Sequence, residues 1–149
     1  MTAFAAHGPV FALVDNDVHS ARLMKRVLAS VADHVELTWL GDARRAKRSL
    51  VELFDQRSDS MPDLVIVDLK SHSSASADFV TEIRNHAKAA GVAIVAIVEE
   101  NAGTEPGRLR HAGADAVFVR HPDLAAYAAE LEAMTEFWVR ETVTWPIRA

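Results

Sequence analysis

Five short apolar runs, each followed by a stretch with helical spacing, most tightly constrain what this chain can fold into. Val10 to Val14, Val35 to Leu40, Leu64 to Val67, Val92 to Val98 and Ala116 to Val119 are rich in β-branched and apolar residues and have the length of buried strands. Between them apolar residues recur with helical period: Ala21, Met24, Leu28 and Val31; then Ala43, Ala46, Leu50 and Leu53; then Phe79, Ile83, Ala87 and Ala90. A last helix carries Leu124, Tyr127, Ala128 and Leu131 on one face. The fourth helix is short, with Gly103, Pro106 and Gly107 punctuating its start, so Arg108 to Ala112 is its expected extent. Strands that are apolar throughout must be covered on both faces, and right-handed crossovers place the helices there. The pattern predicts an α/β fold with a doubly wound five-stranded parallel sheet. Glu36, Thr38 and Trp39 make the second run the least apolar, which suits a sheet edge.

The ends of two runs carry the chemistry. The first closes on Asp15-Asn16-Asp17 and the third on Asp68. If these strands lie side by side, their carboxyl ends place three carboxylates around one crevice, the place where open α/β sheets bind ligands. Such a crevice suits a hard cation and a phosphoryl group. An aspartate after a strand also serves as a helix cap or turn residue. Asp17, at the start of the first helix, has both readings open: N-cap, or an extra metal ligand.

Composition excludes several classes. The length, 149 residues with 50% hydrophobic content, fits one globular domain with a sizeable core. Sixteen basic against 21 acidic residues give a net charge of −5, and the one dense basic run, Arg44, Arg45, Lys47 and Arg48, has the spacing of a solvated helix face. A nucleic-acid surface is therefore not expected. Cysteine is absent, which removes disulfides and thiolate chemistry. Met1 to Ala6 lacks a basic flank, and no apolar run approaches the ~20 residues that span a bilayer, so a cytoplasmic protein without membrane contact is expected. The loop Ser71-His72-Ser73-Ser74-Ala75-Ser76 lacks the glycines that cradle a nucleotide phosphate, and the sequence offers no general base beside a nucleophile, so an independent enzyme is not expected. His72 reads as a solvated loop side chain.

The chain resembles, over nearly its whole length, the receiver domain of two-component response regulators, the CheY-like variant of the flavodoxin-like fold with strand order 2-1-3-4-5. Asp15-Asn16 sits where that family keeps its acidic pair, and Asp68 falls on the aspartate that accepts the phosphoryl group. Ala112-Gly113-Ala114-Asp115 matches the turn before the fifth strand, and Asp123-Leu124 the start of the last helix. Phe137-Trp138 followed by Glu141-Thr142-Val143-Thr144-Trp145-Pro146 is similar, with one residue inserted, to the ending of small stand-alone receivers that serve phytochrome-type histidine kinases. In those relatives the ending reaches a second subunit. The resemblance implies a receiver domain over 1–133. It also implies a segment 134–149 that completes the last helix and forms a dimerisation arm carrying Phe137, Trp138, Val143, Trp145 and Ile147, the last three alternating as in a strand.

The departures fall on working positions. Asn16 replaces the second acid, Val98 replaces the hydroxyl residue ending the fourth strand, and Arg120 replaces the lysine ending the fifth. Val117 takes the place of a switching aromatic, unless neighbouring Phe118 fills that role. The metal set implied by the resemblance is Asp15, Asn16, Asp68 and the backbone oxygen of Lys70, with magnesium bound weakly or not at all because an amide oxygen carries no charge. Arg120 keeps a positive charge in a different shape and is positioned to pair with Asp68. A cis peptide at His121-Pro122 is not expected. Two readings follow. One is a phosphoacceptor receiver modified on Asp68 by a histidine kinase. The other, which the three altered positions favour, is a pseudo-receiver acting as a dimeric protein-interaction module.

Overall fold

The computed structural model describes residues 8–148, with the backbone alone for 142–148. The strands are β1 (Val10–Asp15), β2 (Glu36–Gly41), β3 (Leu64–Asp68), β4 (Ala93–Glu99) and β5 (Ala116–Arg120). The helices are α1 (Val18–Val31), α2 (Ala43–Asp55), α3 (Ala75–Ala90), α4 (Glu105–Ala112) and α5 (Leu124–Arg148). All pairings are parallel, in the order β2-β1-β3-β4-β5. The expected doubly wound sheet is therefore present, with β2 at one edge.

Two apolar layers enclose the sheet. On one face α1 and α5 cover Phe11 and Leu13 of β1, Leu64 and Ile66 of β3, and Val95 and Ile97 of β4. On the other, α2, α3 and α4 cover Val14, Val65, Val67, Ile94, Ala96 and Val98. Side chains alternate along a strand, so the residue two beyond Leu13 and the one two beyond Ile66 continue onto the α1/α5 face. Those residues are Asp15 and Asp68, and the register pairs them directly. Glu99 and Arg120, the paired last residues of β4 and β5, share this parity. The alternation that builds the core thus delivers four ionisable side chains to one rim.

Aspartates also fix the opposite ends of the strands. Asp63, just before β3, accepts the Val10 amide on Oδ2 at 2.8 Å. Asp115, just before β5, accepts the Ile94 amide at 2.8 Å. Gly113 precedes it at φ +127°, a conformation that carries the chain out of α4 and strains any other residue. The last residue of the Ala112-Gly113-Ala114-Asp115 turn is therefore a strand clamp.

Two expectations need correction. Helix α4 starts at Glu105 rather than near Arg108, because Pro106 lies in its first turn, where the missing amide proton costs nothing. The tail is helical: α5 runs unbroken through 133 and 134 to Arg148, where alternation had suggested a strand. Valine and threonine lose well under about 1 kcal/mol each against alanine in a helix, so a helix already docked through Leu131 and Met134 absorbs them. The side chains of Val143, Trp145 and Ile147 lie outside the described residues. Phe137 and Trp138 also pack on their own domain. The Trp138 ring meets Phe11 edge-on at 5.6 Å and its Nε1 donates to the Asp63 carbonyl at 3.1 Å, while Phe137 meets Phe118 at 6.2 Å. Among the described residues no helix is long and apolar enough to cross a membrane.

Trp138→Ala should therefore cost about 2–4 kcal/mol of unfolding free energy in urea, as loss of an aromatic packed in its own domain does. An unchanged midpoint would mean that the indole contributes nothing to the fold of its own subunit.

Candidate functional site

The crevice at the carboxyl ends of β1 and β3 is built around two buried carboxylates. Asp15 is 0% exposed and Asp68 1%. Two ionised carboxylates side by side out of water are costly unless cations meet them. Two do. The Lys70 ammonium stands 2.8 Å from Asp15 Oδ1 and 3.3 Å from Asp68 Oδ1, and donates to the Asp68 carbonyl at 3.0 Å. Two of these oxygens, Asp15 Oδ1 and the Asp68 carbonyl, accept hydrogen bonds, and Asp68 Oδ1 completes an ion pair. The Arg120 guanidinium pairs through Nη1 with Asp68 Oδ2 and through Nη2 with Glu99 Oε2, the latter at 3.0 Å.

The remaining contacts lock the rim. Asn16 Oδ1 accepts the Lys70 amide at 3.0 Å, which holds the base of the lysine side chain. Ser20, from α1, stands 3.5 Å from Asp68 Oδ2. Ser76 is buried and its hydroxyl accepts the Leu69 amide at 3.0 Å, so one serine of the serine-rich loop ties the start of α3 to the end of β3. Tyr127 rises from α5 beneath the crevice, close enough for the charges of Asp68, Arg120 and Asp15 to act on its phenol. Its hydroxyl and Asp15 Oδ2 are both buried without a hydrogen-bond partner.

The charges follow from these positions. Burial is the largest influence on Asp68 and lifts its carboxyl above the ordinary range, with Lys70 and then Arg120 pulling against it. Burial also works against the Arg120 charge, but Asp68 and Glu99 outweigh it and hold the guanidinium above its ordinary value. Burial keeps the Tyr127 phenol protonated far beyond neutral pH. At the exposed rim a hydrogen bond to Glu100 raises the His121 pKa; Nδ1 is 2.7 Å from Glu100 and Nε2 3.8 Å from Glu130.

The other sequence candidates distribute as follows. Asp15, Asp68 and Arg120 are brought together. Asp17 is the N-cap of α1, accepting the His19 amide at 2.9 Å, and that bond holds its carboxyl below the ordinary value. Val98 faces the α2/α3/α4 side with Val117 and Val119, whereas Phe118 is on the α5 side, so Phe118 and Val98 do not share a face. His72 is exposed, 3.4 Å from Asp78. No cis peptide occurs among the described residues. The reading of the sequence missed the Lys70 ammonium, Ser20, Glu99 and Tyr127. The alternation that places Asp68 also places Glu99; nothing in the spacing tells that Lys70 folds back.

The oxygens present do not fit a divalent ion in this arrangement. Asp15 Oδ1 is shared between Lys70 and the Asp17 amide, both oxygens of Asp68 are paired, and the Asn16 oxygen is turned to the backbone. Among the described residues no three His, Cys, Asp or Glu side chains form a group suited to a metal. The arrangement instead sets two cations, Lys70 and Arg120, among three carboxylates, Asp15, Asp68 and Glu99.

No protein-family model and no curated protein matches the sequence. Solved structures do. The phosphorylated cyanobacterial phytochrome response regulator RcpA is 15% identical with a TM-score of 0.68, the match covering 89% of this chain and 94% of that one. The response regulator RPA3017, of red light signalling in R. palustris, is 14% identical at 0.70, covering 87% and 93%. The Mn2+-bound response regulator Rcp1 is 17% identical at 0.67, covering 87% and 94%. The fold of this chain is that of CheY-like response-regulator receiver domains.

Ionised Asp68 is disfavoured by folding, so the native state holds its proton to higher pH than the unfolded chain does, and stability falls as pH rises through that window. Asp68→Asn removes this loss while Lys70 keeps Asp15 and Arg120 keeps Glu99. At neutral pH the variant should be neutral to about 2 kcal/mol more stable in urea, with the advantage shrinking toward acid pH. Destabilisation by more than about 1 kcal/mol at neutral pH would show that the Asp68 ion pairs outweigh its burial.

Proposed function

We propose that this chain is a single-domain response regulator of pseudo-receiver type: a cytoplasmic, non-enzymatic module that signals by protein contact, as a dimer, without depending on a phosphoryl group. The pairing of Asp68 on both oxygens, by Lys70 and Arg120, carries this reading. Attack on a phosphoryl donor needs a free carboxylate oxygen and a divalent ion to neutralise the incoming charge. Here both oxygens are held and the acids that would bind magnesium are neutralised, so magnesium binds weakly or not at all. Val98 adds to the argument, because valine has no hydroxyl to follow a phosphoryl oxygen. A histidine kinase or another signalling protein is the expected partner, and no nucleic acid or membrane is.

One observation favours the second reading, a receiver phosphorylated on Asp68 by a histidine kinase of bacteriophytochrome type. Two cations already flank that carboxylate, and cations also stabilise a phosphorylated product. Intact-mass measurement after incubation with acetyl phosphate and magnesium separates the two. The unaltered chain should show no phosphoryl adduct. Rapid stoichiometric labelling, lost in Asp68→Asn, would replace the pseudo-receiver reading with the phosphoacceptor one.

The dimer is proposed on the C-terminal part, 134–149. Phe137 and Trp138 serve the fold of their own domain, which leaves the outer face of α5 and the tail for a partner. Val139 is 42% exposed and borders a shallow groove of about 410 Å³ with Val31, Ala32 and Thr135. Truncation after Glu141 spares the packed aromatics. Light scattering should give a dimer for the full chain and a monomer after that truncation; a full-length monomer at tens of micromolar would overturn the assignment.

A further inference from the structure

We propose that Lys70 is a tethered cation that stands in for a divalent metal in the Asp15–Asp68 crevice and keeps one out. The inference deepens the pseudo-receiver reading, since it names the group that closes the site. Lys70 is held at two points. Its amide donates to Asn16 Oδ1 at 3.0 Å, and its ammonium spends one contact each on Asp15 Oδ1, Asp68 Oδ1 and the Asp68 carbonyl. The residue that departs from the family's acidic pair, Asn16, is thus the residue that seats the lysine.

An ammonium and a divalent ion cannot share this place. A magnesium-sized ion requires oxygens at about 2.1 Å in octahedral array, and binding Asp15 and Asp68 together would set it within a few ångströms of the lysine charge. Like charges so close in a poorly solvated site repel strongly. Metal entry therefore requires the lysine to leave, and a side chain only 26% exposed, with two hydrogen bonds and a second ion pair, has little reason to. Asp15 Oδ2 is buried with no hydrogen-bond partner, because the Lys70 ammonium meets the other oxygen of that carboxylate. Arg120 does not take over, because its two contacting nitrogens are committed to Asp68 and Glu99.

Removal of the Lys70 charge should convert the crevice into a metal site. Asp15 would retain the Asp17 amide alone on Oδ1, leaving a buried carboxylate that gains by taking up a cation. The experiment titrates Mn2+ into the full chain and its Lys70→Ala, Lys70→Gln and Lys70→Arg variants, reading free Mn2+ by electron paramagnetic resonance and the melting temperature in parallel. The unaltered chain and Lys70→Arg should leave Mn2+ free up to about 1 mM and melt at the same temperature with or without it. Lys70→Ala and Lys70→Gln should melt lower without metal, recover with Mn2+ and not with sodium, and bind Mn2+ at least about tenfold more tightly than the unaltered chain. If Lys70→Ala folds only with Mn2+ present, that dependence supports the proposal, and Lys70→Gln supplies the binding constant.

Mn2+ binding by the unaltered chain as tight as by Lys70→Ala, or no gain in either neutral variant, overturns the tethered cation. That result leaves the phosphate-independent reading standing as long as acetyl phosphate gives no adduct. An adduct on the unaltered chain overturns that reading whatever the manganese titration shows.

Discussion

Two carboxylates face each other across the first and third strands, and everything above them in the crevice is a response to that pairing. The register sets Asp15 against Asp68, and the sheet denies both of them water. Burying two like charges together is tolerable only with opposite charge at contact distance. Lys70 and Arg120 supply it from the ends of β3 and β5, and Glu99 of β4 adds a third carboxylate on the outer side of Arg120. A site built this way is finished in the absence of any ligand. Its side chains form an internal ion cluster of Asp15, Asp68, Lys70, Arg120 and Glu99.

The succession of strands and helices was legible because it rests on two periods that a sequence displays directly, whereas the strand order came with the resemblance to receiver domains. With β1 beside β3, as the resemblance to receiver domains implies, alternation along the strands brings Asp15 and Asp68 together. The same alternation separates Val98 and Val117 from Phe118, a distinction the sequence contains but that a reading guided by neighbouring positions overlooks. The Asp17 cap was among the open readings because aspartate before a helix has a local role that needs no tertiary partner.

What escaped depends on reach and on context. A lysine two residues after a strand has a long flexible stem, and whether it turns into a crevice or out to solvent depends on what the crevice demands, not on its position in the chain. The start of α4 was obscured by Pro106, since proline is disfavoured inside helices but tolerated in a first turn, where it stands here. The tail misled for a related reason. Thr142, Val143 and Thr144 lean weakly toward strand, whereas the preceding turns of α5 are anchored by Leu131, Met134 and Trp138, and a docked helix outweighs a local preference of that size.

The edge strand carries one more connection. Beyond Leu13 the β1–β2 register slips past Leu40, so that Val14 meets Gly41, whose φ of +93° accommodates the extra residue. Trp39, beside this bulge, is 44% exposed, yet its Nε1 donates to the Asp15 carbonyl at 2.8 Å. An indole with its ring in solvent and its dipole tied to the backbone of a buried acid is a native optical reporter. With Trp138 and Trp145 replaced by phenylalanine, its emission should register shifts of the β1 carboxyl end, so that events in a crevice hidden from water can be followed from the protein surface without attaching a dye.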